Sequence, residues 1–269
     1  MIELKSVSGT CGAGAVRDVS LRLPNGKTYG VFSPSYADSA ALLALMGGAR
    51  TPSSGKILAG GFDLHREAKQ ARRGIAYLGA DLLPDDTMTL IEYLMSVADL
   101  RDLPYDKTLR RVHELLEIAD LAEKKESLIS YLSHGEKRIL TLMQLLLGNP
   151  EILILTSPLS GVTPKYAQKI CDLIRYFGDT YTIFLCTPST ADLCELCDEI
   201  IILQNGTLKT VLSSSDEALV QEFTATPTEG INAYDEDAPK KRGASRWNML
   251  LQSSGEYEVL DTDEKEGKN

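Results

Sequence analysis

Two places in this chain put polar side chains where a helix end could bind something. The first is Leu132-Ser133-His134-Gly135-Glu136. A serine followed three residues later by a glutamate forms a capping box, in which each side chain bonds the other residue's backbone amide. It stands before an apolar helical run, Lys137–Leu147. The second is Asp38, between a loop and the Ala/Leu-rich helix expected at Ser39–Met46. A carboxylate there is expected to act as N-cap, satisfying free amides and the positive helix end, and to contribute about 0.5–2 kcal/mol. Cys194 and Cys197 make a C-x-x-C pair, but they fall in an expected helix, Ala191–Cys197, with no second ligand pair nearby. Buried helical cysteines fit that placement better than zinc or redox chemistry, and no metal site is expected.

These residues need a scaffold, and the patterning supplies one. Ile2–Val7 and Val19–Leu23 alternate apolar and polar residues as half-buried strands do. Pro24-Asn25-Gly26 is a turn, and Thr28–Phe32 a strand that enters the loop before Ser39–Met46. Strand, loop and helix in that order open a parallel α/β sheet. Lys56–Leu58 and Gly74–Leu78 are further strands. From about Thr89 to Leu147 the period becomes helical, with Leu90, Tyr93 and Leu94 on one face and Leu109, Val112, Leu115 and Leu116 on another. Sheet returns with Glu151–Thr156, Thr182–Cys186 and Glu199–Leu203, separated by an amphipathic helix at Tyr166–Phe177. Asn205-Gly206 signals a closing hairpin. The expected organisation is a discontinuous α/β core at 1–80 and 150–223, a helical insert at 81–149, and an acidic, linker-like tail at 224–269. That tail holds one basic cluster, Lys240-Lys241-Arg242, followed by Trp247, Met249, Leu250 and Leu251, which reads as linker or as a docking segment. Glu256–Leu260 could add an edge strand.

The 269 residues are 43% hydrophobic, enough for a sizeable core, and the formal net charge is −10. An acidic surface argues against nucleic acid as partner. The apolar runs fall short of the roughly 20 residues that cross a bilayer, and no signal-peptide core follows Met1. A cytoplasmic chain is expected.

In order and spacing, residues Met1 to about Phe223 resemble the ATPase cassette of ABC transporters. Leu132-Ser133-His134-Gly135-Glu136 resembles the family's signature, LSGGQ, and Pro158-Leu159-Ser160-Gly161-Val162-Thr163-Pro164 its PTSGLDP. Gly26–Val31 resembles the strand entering the phosphate loop, and Thr51–Ile57 the turn after the loop's helix. Cys197–Leu203 resembles the family's CDRVAIL strand. The resemblance implies a P-loop NTPase-like cassette: a mainly parallel core sheet, an N-terminal antiparallel β part and a helical signature subdomain.

The departures from the family pattern fall on the nucleotide site. The phosphate-loop stretch reads Ser33-Pro34-Ser35-Tyr36-Ala37-Asp38-Ser39-Ala40-Ala41. By the resemblance, Ser39 stands where the lysine would be and Ala40 where the magnesium hydroxyl would be. Tyr36 and Asp38 replace glycines. Thr156 and Ser157 occupy the metal-shell aspartate and general-base glutamate positions, and Ala80 the glutamine. Pro188 occupies the switch histidine, Thr163 a loop aspartate, and Cys11 the adenine-stacking aromatic. His65, His113 and His134 are the chain's histidines, and none can be moved to the switch position. The resemblance therefore implies a degenerate, catalytically inactive site that binds no cofactor of its own, with Asp38 in the role of the phosphate.

Ser133, His134, Gly135 and Glu136 are the near-intact exception. In the family this segment meets ATP and Mg²⁺ held by a second cassette. The expectation is thus a non-catalytic subunit of a heteromeric ABC transporter. It would pair with an active ABC ATPase subunit as a heterodimer and contact a polytopic membrane permease subunit through residues between Asp81 and Tyr105. It would lie on the inner face of the cell membrane. The alternative is a soluble scaffold or regulatory pseudo-ATPase cassette without a transporter.

Overall fold

A computed structural model describes residues 1–80 and 82–216. Asp81 and the tail readings lie outside the described residues. The chain opens with an antiparallel hairpin, β1 (Ile2–Cys11) and β2 (Gly14–Leu23), then β3 (Thr28–Phe32) and α1 (Tyr36–Met46). β4 (Ser54–Ala59), β5 (Phe62–Asp63), α2 (Ala68–Arg73) and β6 (Ile75–Leu78) follow. The helical stretch holds α3 (Leu90–Asp99), α4 (Tyr105–Ile118) and α5 (His134–Leu145). Then come β7 (Ile152–Thr156), α6 (Pro164–Gly178), β8 (Thr182–Cys186), α7 (Thr190–Leu196), β9 (Glu199–Gln204) and β10 (Thr207–Ser213).

Among the described residues the strands form two sheets, ordered β2-β1-β4-β5 and β10-β9-β3-β8-β7-β6. The first is antiparallel. In the second, β9, β3, β8, β7 and β6 run parallel and β10 adds an antiparallel edge. The parallel strands read as unbroken apolar runs because both faces are covered. Period-2 alternation then sorts their side chains into two cores. Ile152, Ile154, Phe184, Cys186, Ile201 and Leu203 join α1 and the hairpin sheet. Leu153, Leu155, Ile183, Leu185, Ile200 and Ile202 join the helical layer. Each such side chain, fully buried, contributes roughly 1.5–3 kcal/mol.

The expected faces of α3 and α4 are buried at Leu90, Tyr93, Leu94, Val112, Leu115 and Leu116, while Leu109 is only half-buried. Cys197 is buried and caps α7 rather than lying within it. Its thiol is pushed well up by burial. Neither Cys194 nor Cys197 is in a disulfide. No helix among the described residues is long and apolar enough to cross a membrane.

The expected start of the first helix is corrected. α1 starts at Tyr36 with Ser35 as N-cap, three residues before the expected Ser39. Asp38 therefore lies inside the first turn and does not cap the helix. Its carboxylate instead accepts the Ala15 amide at 2.9 Å, fastening the β1–β2 hairpin across the start of α1. The hairpin comes this close because residue 14 is glycine: a Cβ there would stand 1.9 Å from the Ala37 carbonyl oxygen. Asp38 is buried and still lies near the positive helix end. Asp38→Ala should cost about 1–3 kcal/mol, since it strands the Ala15 amide; Asp38→Asn, which keeps an acceptor oxygen, should cost less. Equilibrium denaturation with unchanged midpoints for both variants would remove this fastening role.

Candidate functional site

The C-terminal ends of β3, β6, β7 and β8 form one edge of the parallel sheet, the usual location of sites in open α/β folds. The positions at which the sequence departs from the family pattern gather along it. Ser39 and Ala40 lie in α1, which leaves the end of β3. Ala80 follows β6, Thr156 ends β7 with Ser157 just beyond it, and Pro188 follows β8. Ser39, Thr156 and Ser157 are buried, and Pro188 is exposed.

Tyr36 ties part of this edge together. Its hydroxyl is hydrogen-bonded to the Ser157 hydroxyl and accepts the Cys186 thiol at 3.4 Å. Ser157 is held in a left-handed conformation (φ 47°), with its amide donating to the Cys186 carbonyl at 3.0 Å. Burial pushes the Tyr36 phenol up from its ordinary value, with Cys186 adding to the shift. Burial likewise pushes the Cys186 thiol up to about 11. All three groups are therefore neutral near pH 7. The start of α1 is thus joined to the ends of β7 and β8 by uncharged hydrogen bonds. The Ser33 and Ser39 hydroxyls nearby are buried without a hydrogen-bond partner among the described residues. Pro188 takes no part; beside it Thr187 donates to Asp192 (3.1 Å) and accepts the Ser189 amide (3.1 Å), which sets the turn into α7.

Ser133–Glu136 forms a separate cluster at the start of α5. The capping box is reciprocal: Ser133 Oγ accepts the Glu136 amide at 3.3 Å, and Glu136 Oε2 accepts the Ser133 amide at 2.9 Å. Ser133 Oγ also donates to Glu136 Oε2 at 3.0 Å. Lys124 donates to Glu136 Oε1 at 2.6 Å. Burial pushes the Glu136 carboxyl up, but the bonds from Lys124 and Ser133 outweigh it and hold it below its ordinary value. Ser133 and His134 are exposed, while Gly135 is buried against Tyr166 of α6. His134 Nε2 stands over Gly161, in the loop after β7. Thr163, in the same loop, is the N-cap residue of α6 without a side-chain cap bond.

Two residues of this region escape a reading of the sequence. The phenol of Tyr36 reaches partners more than a hundred positions away, which no local pattern announces. Arg138 gives only a weak signal, a cation directly before the apolar run from Ile139. The structure buries it at 2% exposure, between the ends of β6 and β7.

The ABC transporter family profile matches residues 16–160. The methionine import ATP-binding protein MetN of Escherichia coli strain K12 is 28% identical over 240 residues, covering 83% of this chain and 70% of the relative. The linearmycin resistance ATP-binding protein LnrL of Bacillus subtilis strain 168 is 26% identical over 218 residues, covering 80% and 70%. Among solved structures, an ATP-binding subunit of an ABC transporter superposes with a TM-score of 0.68 at 21% identity, over 94% of this chain and 99% of that one. A nucleotide-free ATP-binding cassette gives a TM-score of 0.71 at 17% identity, over 82% and 95%. The fold is the P-loop cassette fold, and the chain belongs to the ABC transporter family of ATP-binding cassettes.

Proposed function

We propose that this chain is a non-catalytic cassette subunit of a heteromeric ABC transporter. It pairs with an active ATPase cassette and offers Ser133, His134, Gly135 and Glu136 to ATP and Mg²⁺ held by that partner. Residues 82–91, which include the exposed Leu82 and Leu83, face a polytopic permease subunit at the inner side of the membrane. The names of MetN and LnrL, one an import and one a resistance protein, favour a transport role without fixing its direction.

The observation that carries the reading is the bond from Tyr36 to Ser157, with Cys186 completing the group. A phosphate at a helix start needs free amides, room and positive charge. At the start of α1 the phenol takes the room, and the buried Asp38 carboxylate sets a negative charge in the first turn. Ser39 and Ala40 supply no ammonium group, and Thr156 and Ser157 supply no carboxylate for a metal shell or a general base. An anion beside Asp38 would meet a like charge in a desolvated setting. These residues do not fit ATP–Mg²⁺.

Calorimetric titration of the isolated chain with ATP–Mg²⁺ should show no saturable binding; a micromolar dissociation constant at one site per chain would refute the reading. Purification from native membranes should return a second cassette and a polytopic protein. Recovery free of both would point to the scaffold alternative.

A further inference from the structure

α5 begins at His134, beside the exposed Ser133, and one turn further on it carries Arg138 into the interior. The guanidinium there donates to five backbone carbonyls. Nη1 reaches Ala80 (3.0 Å) and Leu82 (3.4 Å). Nη2 reaches Thr156 (3.3 Å) and Ser157 (2.7 Å), and Nε reaches Pro158 (3.2 Å).

We propose that Arg138 is a positioning residue that holds the start of α5, the Ala80 and Leu82 carbonyls and the end of β7 as one rigid unit. Its functional meaning rests on the reading above that Ser133–Glu136 and residues 82–91 meet partner subunits. The chemistry favours arginine here. A planar fork with five N–H donors can serve two backbone segments at once. A lysine has three donors on one atom and cannot span both. Carbonyls past a strand end have no ladder partner, and burying them is costly unless donors arrive. The guanidinium meets the same condition from its side, because its desolvation is offset only when its N–H groups are taken up. The five bonds satisfy both sets of groups. They tie the segment offered to a partner's nucleotide to the loop facing the permease, with no contribution from a ligand at the start of α1. The geometry of both partner-facing segments is therefore built into the fold.

Hydrogen exchange of the full-length chain, followed by mass spectrometry, tests this on wild type, Arg138→Lys and Arg138→Met. Exchange should rise together in peptides covering 79–88 and 157–163, by about tenfold or more in Arg138→Met, as expected for local opening. The rise should be smaller in Arg138→Lys, and peptides from β3 and β8 should not change. A rise spread evenly over the sheet would mean general destabilisation and overturn the proposal. So would a rise in one segment without the other. If Arg138→Met does not fold, Arg138→Lys decides by the same criterion. Adding ATP–Mg²⁺ to wild type separates the two readings: protection around 33–41 would sink the claim that the start of α1 takes no nucleotide and leave the Arg138 result standing.

Discussion

Replacing Ser133 by aspartate should abolish ATP hydrolysis by the assembled transporter while leaving this chain folded. Aspartate is as good an N-cap as serine, so the start of α5 keeps its cap. On the proposed pairing, what changes is the charge presented to a partner's nucleotide. Ser133 is exposed and stands beside the free amides of α5, a position suited to an anion. A carboxylate there would repel a phosphate, and loss of one such stabilising contact typically lowers turnover about 100- to 1,000-fold. The structure adds one complication. Ser133 Oγ donates to Glu136 Oε2, so in Ser133→Asp the introduced carboxylate would face that of Glu136, with Lys124 offsetting only part of the repulsion. The double variant Ser133→Asp/Glu136→Gln removes that strain and should fold as well as wild type, yet remain inactive. Ser133→Thr, which keeps both the hydroxyl and the cap, should retain activity. Steady-state ATPase of the purified complex, with its assembly checked by size-exclusion chromatography, decides the matter. Wild-type turnover in either aspartate variant would reduce Ser133 to a helix cap.

The contrast between Ser133 and Asp38 shows which parts of the site the sequence makes legible. The capping box is local: Ser133 and Glu136 contact each other, and their spacing alone is enough to foresee the bond. The strands β3, β7, β8 and β9 are equally legible, since their apolar runs are bounded by Gly, Pro and Asn. Asn205-Gly206 marks the hairpin between β9 and β10. At the start of α1 the local code is ambiguous, because Ser33, Ser35 and Asp38 are all good caps. The apolar run favours Asp38, whereas the helix starts after Ser35, whose side chain makes no cap bond. The earlier start places the phenol of Tyr36 on Ser157 and the carboxylate of Asp38 on Ala15, two contacts distant in sequence. The length of β1 and β2 is hidden for another reason. Register shifts between Leu4 and Val7 and between Val7 and Gly9 break the alternation that marks a strand. Arg138 is the plainest case, because its acceptors are backbone carbonyls and leave no trace in residue type.

Gly135→Ala should separate α5 from α6, and the sign of its effect is informative. Alanine is about 1 kcal/mol more favourable than glycine inside a helix, so propensity alone predicts a gain in stability. Packing predicts the opposite. A Cβ at residue 135 would lie 2.2 Å from Cγ and 2.4 Å from Cδ2 of Tyr166, on the body of the ring rather than at a flexible tip. Tyr166 is anchored in the first turns of α6, so relief requires either the ring or the start of α5 to move. Overpacking of this kind costs about 1–3 kcal/mol. If the start of α5 yields, Ser133 and His134 move with it, and ATPase of the complex should fall more than stability does. Tyr166→Ala makes the room that the added methyl group needs. The double variant should therefore be more stable than the sum of the single variants predicts, with a coupling of about 1–2 kcal/mol. Chemical denaturation of all four chains provides that cycle. A Gly135→Ala chain at or above wild-type stability, or a coupling near zero, would show that α5 and α6 are not closed against each other at this point.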